Sequence, residues 1–238
     1  MNYFASIKIA NLWAKNSKDI FDTKNTLVNE MHALISIIKP IATWKTLKTT
    51  LEARIACGEL GYSAYSRLGE IHSDCHVNGT WEGDNTVLLQ QTAKFLLKEM
   101  GNLAKGKEVK YQTLYYLTID DLSQEKLQAT SVACFKNLDT IQALMEYLAR
   151  KSIQEGGFAM QLNMATNDPY DSWNSSLPFD LNNASKLYGE LYCHNTARTE
   201  IANCSVAANR EFLNKMLVIK GLTIALEYSV YLLDFITS

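Results

Sequence analysis

At 238 residues the chain has room for one large domain or two small ones. Hydrophobic residues make up 47% and charged residues 20%, a globular balance and not a disordered one. Lysine and arginine total 23 against 25 for aspartate and glutamate, so a net charge of -2 gives no electrostatic reason to expect nucleic acid or an acidic membrane as partner. With 3 prolines and 11 glycines there is little turn chemistry, which argues against a β-sandwich and for long helices.

The opening "MNYFASIKIANLWAKNSKD" is interrupted by Lys8 and Asn11 before any apolar run is long enough for a signal peptide. No stretch approaches the roughly 20 apolar residues of a membrane span. Leu27, Met31, Leu34, Ile35 and Ile38 share one helical face, and the stripe resumes at Trp44, Leu47, Leu51 and Ile55. Pro40 lies between, which predicts one long kinked helix or two abutting ones. Residues 58–83 read as irregular and punctuated by glycine. A helix follows from about Thr86 to Met100, with Asp84 as N-cap and Gly101 as C′ stop.

Residues 102–121 change character. "GNLAKGKEVK" is polar and reads as a linker, and the alternation of Val109, Tyr111, Tyr115, Leu117 and Ile119 leaves a short strand open. A lone strand cannot satisfy its backbone, so an extended connection between helical blocks is favoured. Ser123 is a candidate cap for the next helix. Ile141, Leu144, Met145 and Leu148 form a stripe expected to end at Glu155–Gly157. "ATNDPYDSWNSSLPFD" reads as a loop, followed by long helices near Phe179–Asn203 and Ala208–Ile236. In the last, Phe212, Met216, Ile219, Thr223, Leu226, Val230 and Leu233 recur at spacings of 3 and 4. The expected fold is all-α, with a helical block over 1–101, a linker over 102–121 and a second block over 122–238, and no internal repeat.

Candidate chemistry is sparse. His72, Asp74, Cys75 and His76 lie within five residues, yet a zinc site needs three or four converging ligands, usually as two separated pairs, and His32 and His194 stand alone. A polar loop is the favoured reading there, with no metal. The cysteines Cys57, Cys75, Cys134, Cys193 and Cys204 are odd in number and scattered, and read as reduced thiols of an intracellular protein. The sequons at Asn78, Asn183 and Asn203 then carry no meaning. No G-x-S-x-G, P-loop or G-x-G-x-x-G occurs. "CGELGY", Cys57–Tyr62, has glycines three apart that would let backbone approach a ligand, or would simply end a helix. Glu82 stands between Trp81 and Gly83 just before a helix. A glutamate there is more often a surface acid stabilised by the helix dipole than a base. Shielding by Trp81 would raise its pKa, and Gly83 would leave room for a substrate.

The stretch "EMHALISIIKPIATWKTLKTTLEARIACGELGYSAYSRLGEIHSDCHVNGTWEGDNTVLLQQTAKFLL" resembles the C-terminal half of the acyl-CoA oxidases, relatives of the acyl-CoA dehydrogenases, and most closely the branched-chain type. A weaker likeness continues through "DSWNSSLPFDLNNASKLYGELYCH". The "EGDN" block with its "LLQQT" helix is the specific part. The resemblance covers the chain from about Asn29 onward and implies an FAD-dependent oxidase of fatty acyl-CoA. Glu82 would take the α-proton, the β-hydrogen would leave as hydride to the flavin, and O2 would be reduced to hydrogen peroxide in peroxisomal β-oxidation. It further implies cofactor contacts at Gly58, Gly61, Tyr62, Gly83, Asp84 and Thr86, some to the FAD of a neighbouring subunit, and so a homodimer or a pairing with a full-length oxidase. The alternative is a non-catalytic helical partner module. Two departures stand out. The family's "CGGHGY" is "CGELGY" here, placing Glu59 where phosphates would be repelled. The family's helical N-terminal and central β-domains are expected to be missing, since Met1 falls within what resembles the third domain. The terminal "ITS" is not the peroxisomal "SKL".

Overall fold

A computed structural model of the chain describes residues 2–16, 26–119 and 132–233. Among these the fold is all-α, as the composition predicts, and no residue is in a strand. The helices are α1 (Asn2–Asn16), α2 (Thr26–Ala56), α3 (Glu59–Tyr62), α4 (Leu68–His76), α5 (Asn85–Ala104), α6 (Leu138–Met164), α7 (Pro169–Ser176), α8 (Asn182–Ala202) and α9 (Ala207–Glu227). The expected cap at Ser123 lies outside the described residues.

α2 is one helix of 31 residues and carries Pro40 in its interior. Its first half buries Met31, Leu34, Ile37 and Ile38, and its second half leaves Leu51 and Ile55 exposed. α2 and α5 pack side by side, with α8 against both, and α6 and α9 complete the bundle around α8. Leu34, Ile37, Leu89, Leu96, Leu144 and Leu187 belong to one continuous core, so the residues before and after the 102–121 stretch bury their apolar faces together. α8 is buried on nearly every side. A Cβ at Gly189 would lie 2.6 Å from Ile37 Cγ1 and Ile41 Cδ1, so the helices cross there at a distance only glycine permits.

Several boundaries differ from expectation for definable reasons. Residues 68–76 form α4 within the stretch read as irregular. α5 passes through Gly101 and stops at a Schellman turn around Gly106 instead. Gly106 has φ +72°, its N–H donates to Leu103 O at 2.9 Å, and Lys107 N–H donates to Asn102 O at 3.1 Å. Residues 112–117 are a 3-10 helix whose Leu114, Tyr116 and Leu117 are buried, so much of the polar-looking connection belongs to the core. Thr113 anchors it: its N–H and its hydroxyl each donate to Glu30 Oε1 at 2.7 Å. α6 runs on through Gly156 and Gly157. A Cβ at Gly156 would sit 3.1 Å from Leu181, so this glycine serves a close approach and not a stop. The loop expected over 165–180 contains α7, started by Asp168 at the N-cap with Pro169 beside it, and a π-helical turn at Leu177–Leu181. The final helix ends at Glu227, earlier than expected, and its 3-and-4 stripe points away from the core: Phe212, Met216, Ile219, Leu226, Val230 and Leu233 are all exposed. The face that α9 buries is Leu217, Gly221, Ile224 and Ala225.

Candidate active site

Glu82 sits in the turn between residues 77–79 and α5 and adopts φ 56°, a left-handed conformation that is uncommon for any residue but glycine. Gly83 follows at φ +102°, where a Cβ would lie 3.1 Å from Leu88. Asp84 then caps α5 as expected: its Oδ1 accepts from Thr86 N–H at 2.9 Å and Val87 N–H at 3.2 Å. Two consecutive positive φ values turn the chain sharply, and the cap fixes where the helix begins.

What locks this turn was not singled out by sequence reasoning. The Lys39 ammonium on α2 donates to Gly83 O at 2.7 Å and to Asn85 Oδ1 at 2.8 Å. Asn85 is buried, and its Nδ2 donates to Thr43 Oγ1 at 2.9 Å. Thr43 in turn donates to the carbonyls of Lys39 and Pro40. One side chain from each of three positions on two helices thus clamps the backbone on the C-terminal side of Glu82. Partial burial pulls the Lys39 pKa below its ordinary value, while the carboxylates of Asp84 and Glu82 pull it back. The knot draws one lysine and one threonine from "IIKPIATW" and one asparagine from "EGDN", polar residues whose meeting no local pattern announces.

Trp81 is 55% exposed and Glu82 is exposed, so the shielding expected of Trp81 is not provided by this chain alone. The carboxylate faces outward from the end of a rigid turn. Beside Lys39, an open apolar groove of about 420 Å³ runs between α1 and α2, lined by Ile9, Trp13, Ile35, Ile38 and Ala42.

The glycine segment lies elsewhere. Gly58 takes φ +56° and begins α3, while Gly61 is buried where a Cβ would fall 1.8 Å from Arg54 O. Gly61 therefore serves the packing of α3 onto the end of α2. Tyr62 is 82% exposed, with the Arg54 guanidinium 5.4 Å from its ring centre. Gly58, Glu59 and Leu60 are also exposed. Between Thr43, which ties down the Glu82 turn, and Gly58 runs the second half of α2, roughly 20 Å at the helical rise. A single chain thus brings Glu82, Gly83, Asp84 and Thr86 together but holds Gly58, Gly61 and Tyr62 well apart from them.

The histidine cluster lies on α4, not in a loop. His72 Nδ1 is 2.8 Å from Thr50 Oγ1, and its ring meets that of His76 edge to face, so His72 fastens α4 to α2. Among the described residues no three His, Cys, Asp or Glu side chains converge in a group that would hold a metal ion. Nor is any helix long and apolar enough to cross a membrane.

This helical bundle, with a clamped "EGDN" turn at the head of α5, is that of an acyl-CoA oxidase C-terminal region, and the chain belongs to the acyl-CoA oxidase family. The acyl-CoA oxidase C-alpha1 domain pattern matches residues 2–97, and the acyl-CoA oxidase pattern matches residues 137–237. Human peroxisomal acyl-coenzyme A oxidase 3 is 36% identical over 141 residues, covering 54% of this chain and 20% of that protein. Acyl-coenzyme A oxidase acox-1.3 of Caenorhabditis elegans is 26% identical over 241 residues, covering 99% of this chain and 34% of the relative. The crystal structure of acyl-CoA oxidase-1 of Caenorhabditis elegans, complexed with FAD and ATP, shares the fold with a TM-score of 0.86 at 24% identity, over 99% of this chain and 35% of that one. The chain spans about a third or less of the length of the relatives it matches.

Proposed function

We propose that this chain is the Glu82-bearing helical portion of a peroxisomal acyl-CoA oxidase, acting on fatty acyl-CoA with FAD and O2 to give a trans-2-enoyl-CoA and hydrogen peroxide. The observation that carries this reading is the Glu82 turn. Glu82 stands on a strained left-handed backbone whose turn is tied by Lys39 and Thr43 of the neighbouring helix α2, acting on Gly83 and on Asn85 at the head of α5. A proton next to a thioester carbonyl is weakly acidic, so its base must be aimed and must work without reorganising. A turn fixed by a cap on one side and an ammonium on the other meets that requirement. The groove between α1 and α2, which shares Lys39 with this turn, offers an apolar bed for an acyl chain.

FAD, when bound, supplies the hydride acceptor. The residues that fit its contact are the exposed ones: Gly58 and Tyr62 past the C-terminal end of α2, and Gly83 and Thr86 beside its middle. Asp84 is engaged as the α5 cap and Gly61 as a packing glycine, so their part is to hold the backbone in shape. The separation of the two sets suits contacts made to different stretches of one cofactor, or to cofactors of two subunits in a homodimer or a pairing with a full-length oxidase. Glu59 stands exposed beside Gly58 and disfavours a phosphate there. Glu82 faces solvent in this chain, so water must be excluded from it by a bound acyl-CoA or by a partner.

The test is the visible absorption of the purified chain with and without added FAD, followed by peroxide release with acyl-CoA. A flavin band, with turnover abolished in Glu82→Gln while the band is retained, supports the reading. Turnover that survives Glu82→Gln removes Glu82 as the base. A chain that takes up no flavin, alone or mixed with a full-length oxidase, removes the cofactor assignment.

A further inference from the structure

His72 and His76 stand four residues apart on α4, so the helix sets both imidazoles on one face. In a loop that spacing would mean little; on a helix it is the arrangement by which two histidines share one metal ion. Their ring centres are 5.2 Å apart. Two imidazoles bound through Nε2 to one tetrahedral zinc ion, at a Zn–N distance of about 2.1 Å and with each ring centre about 1.1 Å beyond its nitrogen, place those centres roughly 5.2 Å apart. One of the two rings is already aimed. The Thr50 hydroxyl donates its single proton to the carbonyls of Thr46 and Leu47, each at 3.0 Å, and lies 2.8 Å from His72 Nδ1. With its own proton committed, that oxygen accepts from Nδ1–H, which leaves the lone pair on His72 Nε2. A ligating histidine characteristically gives its other N–H to such an acceptor. The His76 ring stands nearly perpendicular to that of His72, at 84°. It is exposed and makes no hydrogen bond among the described residues, so a turn about χ2 brings its Nε2 to the same point.

We propose that His72 and His76 bind one divalent transition-metal ion of the zinc class, with Thr50 as the residue that orients His72. The surroundings favour a cation. α4 carries Glu70 and Asp74 and no lysine or arginine, and the pair occupies its C-terminal half, the end at which peptide dipoles attract positive charge. Arg67 is turned to Glu70, its Nε 2.9 Å from Oε2. The Arg54 guanidinium of α2 opposes the ion from beside Gly69, a turn before His72. No third His, Cys, Asp or Glu converges on the pair among the described residues, so water fills the remaining positions and the site is an open one, weaker than a closed structural centre. The two ligands meet only when residues 72–76 are helical, so the ion stabilises α4 itself. α4 leads through residues 77–79 into Trp81 and Glu82. The metal therefore stiffens the N-terminal approach to the Glu82 turn, as Lys39 ties its C-terminal side. The site goes beyond the oxidase reading and does not depend on it.

The experiment is isothermal titration of zinc chloride into the full chain, freed of any purification tag, for wild type, His72→Gln, His76→Gln, Thr50→Val and Cys75→Ser. Wild type is expected to take up one ion at this site, each histidine variant to lose it, and Cys75→Ser to keep it unchanged. Thr50→Val removes only the acceptor behind His72 and is expected to weaken binding about 10–100-fold. Hydrogen exchange gives a second readout. At free zinc ten times the dissociation constant, local opening of α4 should fall about tenfold in wild type and not at all in His76→Gln. His76 is exposed, so His76→Gln should keep its helix content by circular dichroism, and it decides the matter even if a change at Thr50 unsettles α2. No uptake by wild type, zinc held in equal amount and affinity by His76→Gln, loss of the ion in Cys75→Ser, or undiminished affinity in a folded Thr50→Val would each overturn the assignment.

Discussion

The Lys39 ammonium lies 2.7 Å from the Gly83 carbonyl oxygen, forty-four residues further along the chain, and ties the turn that carries Glu82 to the middle of α2. The same nitrogen holds Asn85 Oδ1 at 2.8 Å, so one cation fixes both the turn and the first residue of α5.

Lys39→Met keeps the length of the side chain and removes the donor. Asn85 is buried, so its side-chain oxygen loses a partner that water does not readily replace, and a loss of about 1–2 kcal/mol in urea unfolding is expected. The more specific readout is hydrogen exchange. The amides of Glu82, Gly83 and Asp84 should exchange faster in the variant while those of α6 and α8 stay unchanged. Equal protection of the turn in both proteins would mean that the cap alone holds it.

Gly83→Ala tests the turn from the other side. Gly83 has φ +102°, and an added Cβ would press on Leu88 at 3.1 Å. Alanine should cost about 1–2 kcal/mol through backbone strain, and on the oxidase reading should lower turnover more than flavin content, because the aim of Glu82 shifts. Asp84→Ala removes a cap from an otherwise intact helix and should cost about 1 kcal/mol, measured by thermal unfolding.

Much of this was legible in the sequence, and the failures have physical causes. The Asp84 cap was readable because a capping acid before an apolar-periodic run has one local meaning. Gly101 and Gly156 were misread as stops: Gly156 serves a close approach that only its partner helix reveals, whereas Gly101 lies in open space within a helix that simply continues past it. Leu181 approaches Gly156 closely, while Gly106 has the positive φ that ends α5. The segment around Tyr111–Leu117 looked like a linker because its burial depends on Thr113 bonding to Glu30, 83 residues away. The α9 stripe was read correctly as a stripe, but periodicity does not say which of two apolar faces meets the core. For the candidate site, Glu82 was found through a motif, whereas Lys39 and Thr43, which hold its turn, are polar residues within a long helix and carry no local signature.

Glu190 joins the two ends of the chain. Lys45 on α2 and Lys220 on α9 both pair with its carboxylate, which is buried on α8. Burial acts to raise the Glu190 pKa, but Lys220 and Lys45 outweigh it and hold the carboxyl below its ordinary value. Glu190→Gln leaves two ammonium groups together, one of them largely buried, without their counter-charge. A loss of about 3–5 kcal/mol is expected by urea unfolding, far above that of an exposed pair such as Glu211–Lys215. Lys220→Met in the Glu190→Gln background should recover part of it. If the single variant lost less than about 1 kcal/mol, the triad would not be holding α2 and α9 to α8.

His194, one turn along α8 from Glu190, makes the fold sensitive to acid. It is fully buried, and neither ring nitrogen has a hydrogen-bond partner among the described residues. Burial lowers its pKa to about 4; Lys220 and Arg198 push the same way, and Glu190 opposes them. The folded state therefore binds this proton more weakly than the unfolded chain, whose histidine titrates near its ordinary value of 6.5. Between those two values the unfolded chain carries more protons, so stability must rise with pH across the window. The contribution is full above about 6.5 and falls away as the pH drops toward 4, amounting to on the order of 3 kcal/mol if the whole shift is realised. Glu190 is lowered too, so its contribution is also lost on the acid side and adds to the slope below the histidine window. His194→Gln removes the titration without removing the polar volume. Unfolding free energies measured from pH 7 to pH 5 should fall steeply in wild type and much less in the variant, while the two proteins converge toward acid. Parallel curves across that range would show that His194 is not the residue that protonates on unfolding.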